Sequence, residues 1–434
     1  MSTLAQLDRT ILLCRDYVED GLSNDAIAES FESLRVLCVA DERNLSSHSG
    51  QSCLTTLVAL LSRMGMQVTL AIPEISVILQ QPPFLGAFLR KTLLAWSNTL
   101  VTAAGVQLHD GEDKPDLVFI LGDSQAEQNP CPAWRLGGGD WSGTITQEPA
   151  ARVHVWRAHW PVGAMVSAAL AAGEAFKHVI RRLPFRNRED KVFFEPSSAS
   201  NWDFGSVGVP EGVLDLGEVD IVSAGAISQA ALYALLRIPN LRMTGRVFDD
   251  DTTGETNLNR NMLSLVSDVG LAKVLLVANR CSPYFYLTPK RQRFAANHGI
   301  ERLAPHVLVG VDDIPSRWLV QRHASGVLVV SGTSHFSISS SSHTPTSPCC
   351  GCQHPVDDLV GPVTIPTVSF VSFWAGLAMA VRLIRHLVGA PYPLDHQHLW
   401  FTPLRMDQPY AALWSPVAPR LDCPVRCVRS RHAA

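Results

Sequence analysis

Runs of β-branched and apolar residues alternate along the chain with longer stretches of small apolar residues at helical spacing. Residues 34–40 form one such run and predict a strand. A polar loop through Ser46, Ser49 and Gly50 follows, then a helix over 55–63 and a second strand over 67–72. The same order returns later: a strand over 219–223, a turn of Ala224, Gly225 and Ala226, a helix over 228–236 and a strand ending at Phe248. Strand, small-residue turn, helix and strand in that order predict Rossmann-type units with parallel strands joined by a crossover helix. Further correspondences point to an internal duplication. Residues 116–122 and 306–311 are short apolar runs that end next to Asp123 and Asp312. Each half then closes with a small-residue helix ending in bases, over 163–183 with Arg181 and Arg182, and over 371–387 with Arg382 and Arg385. The fold class expected is α/β, with one domain over 1–183, a second over 214–434, and the Arg-, Ser-, Gly- and Pro-rich stretch 184–213 as the linker. The Ser/Thr/Pro run 337–347 is expected to be a mobile loop.

Composition narrows the function classes. With 36 Lys and Arg against 40 Asp and Glu, and no basic run, the chain has no electrostatic case for binding nucleic acid. The most apolar stretch, 367–388, is interrupted by Arg382, Arg385 and His386, which suits a buried core helix better than a membrane span. The first residues lack a basic-then-apolar leader, so a cytoplasmic protein with no membrane partner is expected. Ten cysteines are too few for a disulfide scaffold in 434 residues, and four of them form close pairs, Cys349 with Cys352 and Cys423 with Cys427. That arrangement favours a metal site.

The second half carries the chemistry. Its first turn, Ser223-Ala224-Gly225-Ala226-Ile227-Ser228, has the small residues that let a backbone approach a phosphate at a helix N-terminus. Asp249-Asp250-Asp251 ends the second strand, where a carboxylate can accept from a ribose. Asn257-Leu258-Asn259-Arg260 follows, then Asp268-Val269-Gly270 and Lys273.

This series resembles the adenylation domain of the ubiquitin-activating and ThiF/MoeB sulfur-carrier-activating superfamily. Val311-Asp312-Asp313-Ile314-Pro315-Ser316-Arg317 is similar to the family's strand-end Asp-Asn-x-x-x-Arg, and Cys349-Cys350-Gly351-Cys352 to its zinc knuckle; together the motifs span about 215–430. The resemblance implies two ThiF-type adenylation domains in a pseudo-dimer within one monomeric chain, the N-terminal one inactive and the C-terminal one active, with a zinc knuckle. It implies ATP, Mg2+ and Zn2+. Asp249 would hold the ribose, Asn257, Arg260 and Lys273 the phosphates, and Asp312 the magnesium. Gly225, Ser228 and Asp251 would lie against the nucleotide, and Cys349, Cys352, Cys423 and Cys427 would bind the zinc. Arg9, in a segment similar to the family's N-terminal Arg-Gln-Ile, would reach the ATP from the other half.

The reaction implied is adenylation of the C-terminal carboxylate of a small ubiquitin-like, β-grasp protein, with a conjugating enzyme as a further partner. A peptide-modifying adenylase of a natural-product pathway and a non-catalytic binding scaffold are the alternatives. A nicotinamide oxidoreductase explains Asp249 but neither Asn-Leu-Asn-Arg nor the four cysteines. Three departures from the family stand out: Ser223 in place of the first glycine, Asn261 in place of a glutamine, and one extra residue between Cys423 and Cys427. No cysteine lies between Gln353 and Trp374, the usual place of a thioester, which leaves Cys281, beside Arg280, and Cys350 as candidate thiols. Direct transfer of the adenylate to a thiol or amine on a partner protein is therefore expected.

Overall fold

The computed structural model describes residues 3–112, 114–126, 130–149, 156, 159–205, 207–295, 302–356, 364–389 and 397–427. They build a mixed α/β protein around two sheets. The first contains β1 (Arg35–Val39), β2 (Gln67–Ala71), β3 (Val106–Leu108), β4 (Leu117–Leu121), β5 (Ala133–Gly138), β6 (Ser142–Gln147) and β7 (Ala199–Asp203). The second contains β8 (Leu214–Val222), β9 (Leu241–Phe248), β10 (Phe285–Lys290), β11 (His306–Val309), β12 (Val327–Ser334), β13 (Ser337–His343), β14 (Gln397–Phe401) and β15 (Ala412–Pro416). Their spatial orders are β3-β2-β1-β4-β5-β6-β7 and β10-β9-β8-β11-β12-β13-β14-β15. The two orders are the same, apart from the extra last strand. In both sheets the first five strands run parallel and the rest antiparallel.

Burial explains the strand patterns. In β1 and β4 consecutive residues are buried, as expected where both faces of a parallel sheet are covered. The helix His48–Arg63 joins β1 to β2, and Ala226–Leu235 joins β8 to β9. The long helices Val162–Ile180 and Ser369–Leu387 pack against these two respectively, and also touch each other, so that one apolar core runs through both halves. Small residues allow the close approach: a Cβ on Gly376 would lie 2.4 Å from Ala230 Cβ and 2.5 Å from Ala231 N. Ser369–Leu387 is the one helix among the described residues long and apolar enough to cross a membrane, and it is buried in this core.

Two sequence expectations need correction. Most of the Ser-rich run, Ser337–His343, is β13 rather than a mobile loop, paired along its length with β12, and a turn follows it. Ser340, Ser341, Ser342 and His343 are buried, and the sheet and the helix packed on it supply their partners: Ser331 Oγ donates to Ser340 Oγ, and Arg382 of the helix Ser369–Leu387 donates to Ser342 Oγ and Ser340 O. The stretch 184–213 is not a free connection either. Phe194 is fully buried among Tyr17, Phe176 and Phe336. β7 alternates exposed and buried residues, with Trp202 stacked on Phe401 of the second half. The apolar Val192-Phe193-Phe194 and that alternation outweigh the polar composition.

Candidate active site

The C-terminal ends of β8, β9 and β11 open on one cavity of about 400 Å³, the position where open parallel sheets take ligands. Its wall begins at the turn after β8. Ser223 has φ of +88°, the left-handed region a glycine enters freely and a serine does not. Its hydroxyl accepts from Gly225 N at 3.0 Å, and Asp249 takes Ala224 N at 2.7 Å and Asp251 N at 2.9 Å. The aspartate at the end of β9 thus fixes the turn after β8. Gly225 then caps the helix Ala226–Leu235, and a side chain there would meet only Ser223 Oγ within 4 Å. Gly225 therefore leaves room for a ligand at the helix end.

The same wall carries Arg9, Asp249, Asp251, Asn257, Arg260, Lys273 and Asp312, gathered from five separate stretches of the chain. Ser228 is the exception among the expected residues. It is buried behind the wall, its Oγ within 2.6 Å of where a Cβ on Gly310 would stand. Asn257 Oδ1 accepts from Gly254 N and so closes the turn that presents it. Lys273 donates to Asp251 at 2.8 Å and is nearly buried, whereas Asp251 is exposed.

Arg260 is held within its own loop, by Thr256 O and Asn259, and through Asn259 from the other half. It donates to Asn259 Oδ1 at 2.7 Å, and Asn259 donates to Thr10 on the helix Asp8–Arg15. On the same helix Arg9 donates to Ile365 O at 3.0 Å. Burial, and next the charge of Arg9, lower the Arg260 pKa to about 10, while the opposite charge of Asp312 works against them. Two guanidinium groups facing one cavity and raising each other's cost of charge make a site for an anion. Among the described residues Asp312 takes no hydrogen bond or ion pair, although its neighbour Asp313 caps the helix Ile314–His323 through Ser316 N. Asp312 thereby offers an uncommitted hard-oxygen donor to the cavity, of the kind magnesium takes.

The four cysteines meet elsewhere, outside the cavity wall. Their sulfurs all lie within 4.8 Å of one another, with Cys349 to Cys423 at 3.4 Å, Cys352 to Cys427 at 3.6 Å and Cys349 to Cys352 at 3.9 Å. A tetrahedral zinc with Zn–S of about 2.3 Å sets sulfurs about 3.8 Å apart. The set therefore fits zinc, and the extra residue between Cys423 and Cys427 is accommodated. Neither candidate thiol is on the cavity wall. Cys281 is fully buried, which drives its pKa far up, and Arg280 turns to Asp268 rather than to the thiol. Burial pushes Cys350 up to about 12. Both lack the exposure of a reactive thiol, and at Cys350 the nearby charge of Arg317 only partly offsets burial.

The matching place in the first half is filled. Asn44 donates to Asp41, to Ser124 and to Asp123, the carboxylate that follows β4 as Asp312 follows β11. A Cβ on Gly122 would stand 1.9 Å from Asn44 Oδ1, and one on Gly50 would stand 2.0 Å from Asn44 O. Asn44 therefore fills the space between the segments that follow β1 and β4.

Sequence reasoning overlooked Gln229. It donates to Ala224 O and accepts from Leu263 N and Ser264 Oγ, tying the turn after β8 to the loop that carries Asn257 and Arg260. Its amide, one turn into an apolar helix, was the available signal.

Residues 35–191 match a family model described as the BilD N-terminal domain. An uncharacterized protein, y4jF, of Sinorhizobium fredii (strain NBRC 101917 / NGR234) is 23% identical over 247 residues, which is 56% of this chain. The chain covers 44% of that relative's length. Solved structures with similar parts include MccB in complex with N-formylated MccA, at 17% identity over 48% of this chain and 67% of that one, TM-score 0.40. They also include E. coli MccB with ATP, at 15% over 48% and 66%, TM-score 0.39, and PaaA, at 13% over 46% and 64%, TM-score 0.36.

Proposed function

We propose that this chain is an ATP-dependent adenylyltransferase that activates the C-terminal carboxylate of a small protein or peptide. One observation carries the reading: a single cavity at the ends of β8, β9 and β11 brings together Gly225, Asp249, Asn257, Arg260, Lys273 and Asp312, with Arg9 arriving from the other half. A carboxylate oxygen bonds to the α-phosphorus of ATP, the bond from that phosphorus to the bridging oxygen breaks, and pyrophosphate leaves with the electron pair. Anion meets anion in this step, so fixed cations are the protein's main contribution. Arg9 and Arg260 supply two. Lys273 supplies a third when a phosphate replaces Asp251 as its partner. Asp249, already fixing the turn, accepts from the ribose. Magnesium bound at Asp312 would neutralise phosphate charge.

On this proposal the first half is an inactive relative of the second, its crevice filled by Asn44, and the two form a pseudo-dimer. Zinc at the four cysteines fastens the C-terminal segment to the knuckle. With Cys281 and Cys350 both buried, the acyl group passes from the adenylate directly to a thiol or amine on a partner protein: the new thioester or amide bond forms, the bond to the phosphate oxygen breaks, AMP leaves with the electron pair, and the thiol or amine gives up its proton.

Two acceptors fit. The first is a ubiquitin-like protein, with a conjugating enzyme downstream. The second is a short peptide, as in a peptide-modifying adenylase, and this is the acceptor that the complexes of MccB with MccA parallel. ATP–pyrophosphate exchange with ubiquitin-like proteins and with short peptides from the same genome decides between them. Exchange is expected with one class only, and its loss in Asp312→Asn and Lys273→Ala with unchanged circular dichroism. ATP binding without exchange for any acceptor would leave the binding scaffold as the better reading.

A further inference from the structure

A fully buried arginine normally faces a carboxylate. Arg63, the last residue of the helix His48–Arg63, is fully buried, yet among the described residues it has no ion pair. Its guanidinium donates instead to three main-chain carbonyls of the second half: Leu258 at 2.6 Å, Met262 at 3.0 Å and Ser264 at 2.8 Å. All three lie in the loop between β9 and the helix Lys273–Cys281, which also carries Asn257 and Arg260. Gln229 grips that loop from the opposite side, through Leu263 N and Ser264 Oγ. The loop is thus held between the turn after β8 and the end of a helix belonging to the other half.

The converse contact is present too. Arg237, two residues beyond the helix Ala226–Leu235, is equally buried and donates to Pro82 O at 3.0 Å and Gln81 O at 3.4 Å, in the loop after β2. That loop is closed by a bridge between Ser76 and Phe88, as the loop after β9 is closed by one between Thr252 and Ala272. The two arginines occupy equivalent places and make the same kind of bond across the same boundary. Only the loop held by Arg63 lines the cavity.

Resting on the adenylation reading above, we propose that Arg63 is a positioning residue for the ATP site: it sets the loop bearing Asn257 and Arg260 from within the half that lacks the site. A planar fork that serves three carbonyls at once is a task for arginine, and a lysine ammonium on its flexible stem does not reproduce it. Displacing the loop by even 1 Å moves two phosphate-binding groups together.

Arg237 provides the control, because its replacement removes a comparable buried clamp from a loop outside the cavity. Full-length Arg63→Lys and Arg237→Lys are compared with wild type by unfolding, by ATP–pyrophosphate exchange, and by hydrogen–deuterium exchange of the amides of 257–264. Both variants are expected to lose stability. Only Arg63→Lys should lose exchange rate, on the order of 10- to 100-fold, with faster deuteration of 257–264. Equal losses of rate in the two variants, or unchanged deuteration of 257–264 in Arg63→Lys, would overturn the assignment. Wild type without pyrophosphate exchange sinks the adenylation reading instead, and the deuteration comparison then still decides whether Arg63 sets the loop. Should Arg63→Lys fail to fold while Arg237→Lys folds and works, Arg63→Gln, which keeps two donors and no charge, takes its place in the same comparison.

Discussion

Replacing Gly376 by alanine tests the helix contact on which the cavity rests. A helical glycine exchanged for alanine gains about 1 kcal/mol from intrinsic propensity where nothing opposes it. At Gly376 the new Cβ would lie 2.4 Å from Ala230 Cβ, 2.5 Å from Ala231 N and 2.6 Å from Ile227 O. Carbon contacts are comfortable at about 3.5–4.0 Å, so the helices Ser369–Leu387 and Ala226–Leu235 must part by about 1 Å. Two of the three obstructing atoms are backbone and cannot rotate aside. Overpacking of this kind costs about 1–3 kcal/mol, and the upper end applies because a whole interface moves. After the propensity gain, a net loss of about 2 kcal/mol is expected. Ile227 and Gly225 travel with the helix, so pyrophosphate exchange should fall as well. Gly173, in the helix Val162–Ile180, gives the opposite sign: its Cβ would meet Leu404 Cδ2 at 3.5 Å and Phe370 Cε2 at 3.8 Å, ordinary contacts. Gly173→Ala should stabilise by up to about 1 kcal/mol. Urea unfolding followed by tryptophan fluorescence suits both, since Trp374 is fully buried on the same helix as Gly376. A Gly376→Ala protein as stable as Gly173→Ala would refute the reasoning.

Three further outcomes are expected. Freshly purified protein should contain one zinc per chain, and its removal by a chelator should expose 417–427 to proteolysis while ATP still binds, because no cysteine lines the cavity; protein free of zinc by elemental analysis would contradict this. Arg9→Ala should lower the exchange rate more than ATP affinity, because a cation at the departing phosphates matters most as their charge develops; a change confined to affinity, read by calorimetry, would place Arg9 elsewhere. At Ser223, held at φ of +88°, the glycine variant should be more stable than the alanine variant by about 1–2 kcal/mol, and the reverse order in thermal melts would show that the turn relaxes.

The central strands of both halves were legible because burial on both faces writes continuous apolar runs, as in β1, β4 and β11. The cavity residues were legible through the order of short polar motifs, and all but Ser228 line its wall. What periodicity could not register was polar burial. Serines pass for loop residues until a partner strand satisfies them, as in β13, and Asn44 reads as a surface residue until Asp41, Asp123 and Ser124 surround it. The arginines at 63 and 237 carry no signal of the contact they make between the halves, since those partners are backbone carbonyls far along the chain; Tyr233, against Arg237, is the local exception.

The matching strand order of the two sheets has a consequence for how the site behaves on dilution. Two identical subunits that complete each other's sites come apart at low concentration, and each substitution in their gene alters both sites at once. Here Arg9 on the cavity wall, and Arg63 against the loop that lines it, belong to the same polypeptide as the cavity, so the encounter is intramolecular and its strength does not depend on how much protein is present. Covalent linkage also releases the two halves from having to match. Asn44 can stand beside the turn of one half while Gly225 stands at the turn of the other, a difference that a symmetric pair encoded by a single shorter gene cannot adopt.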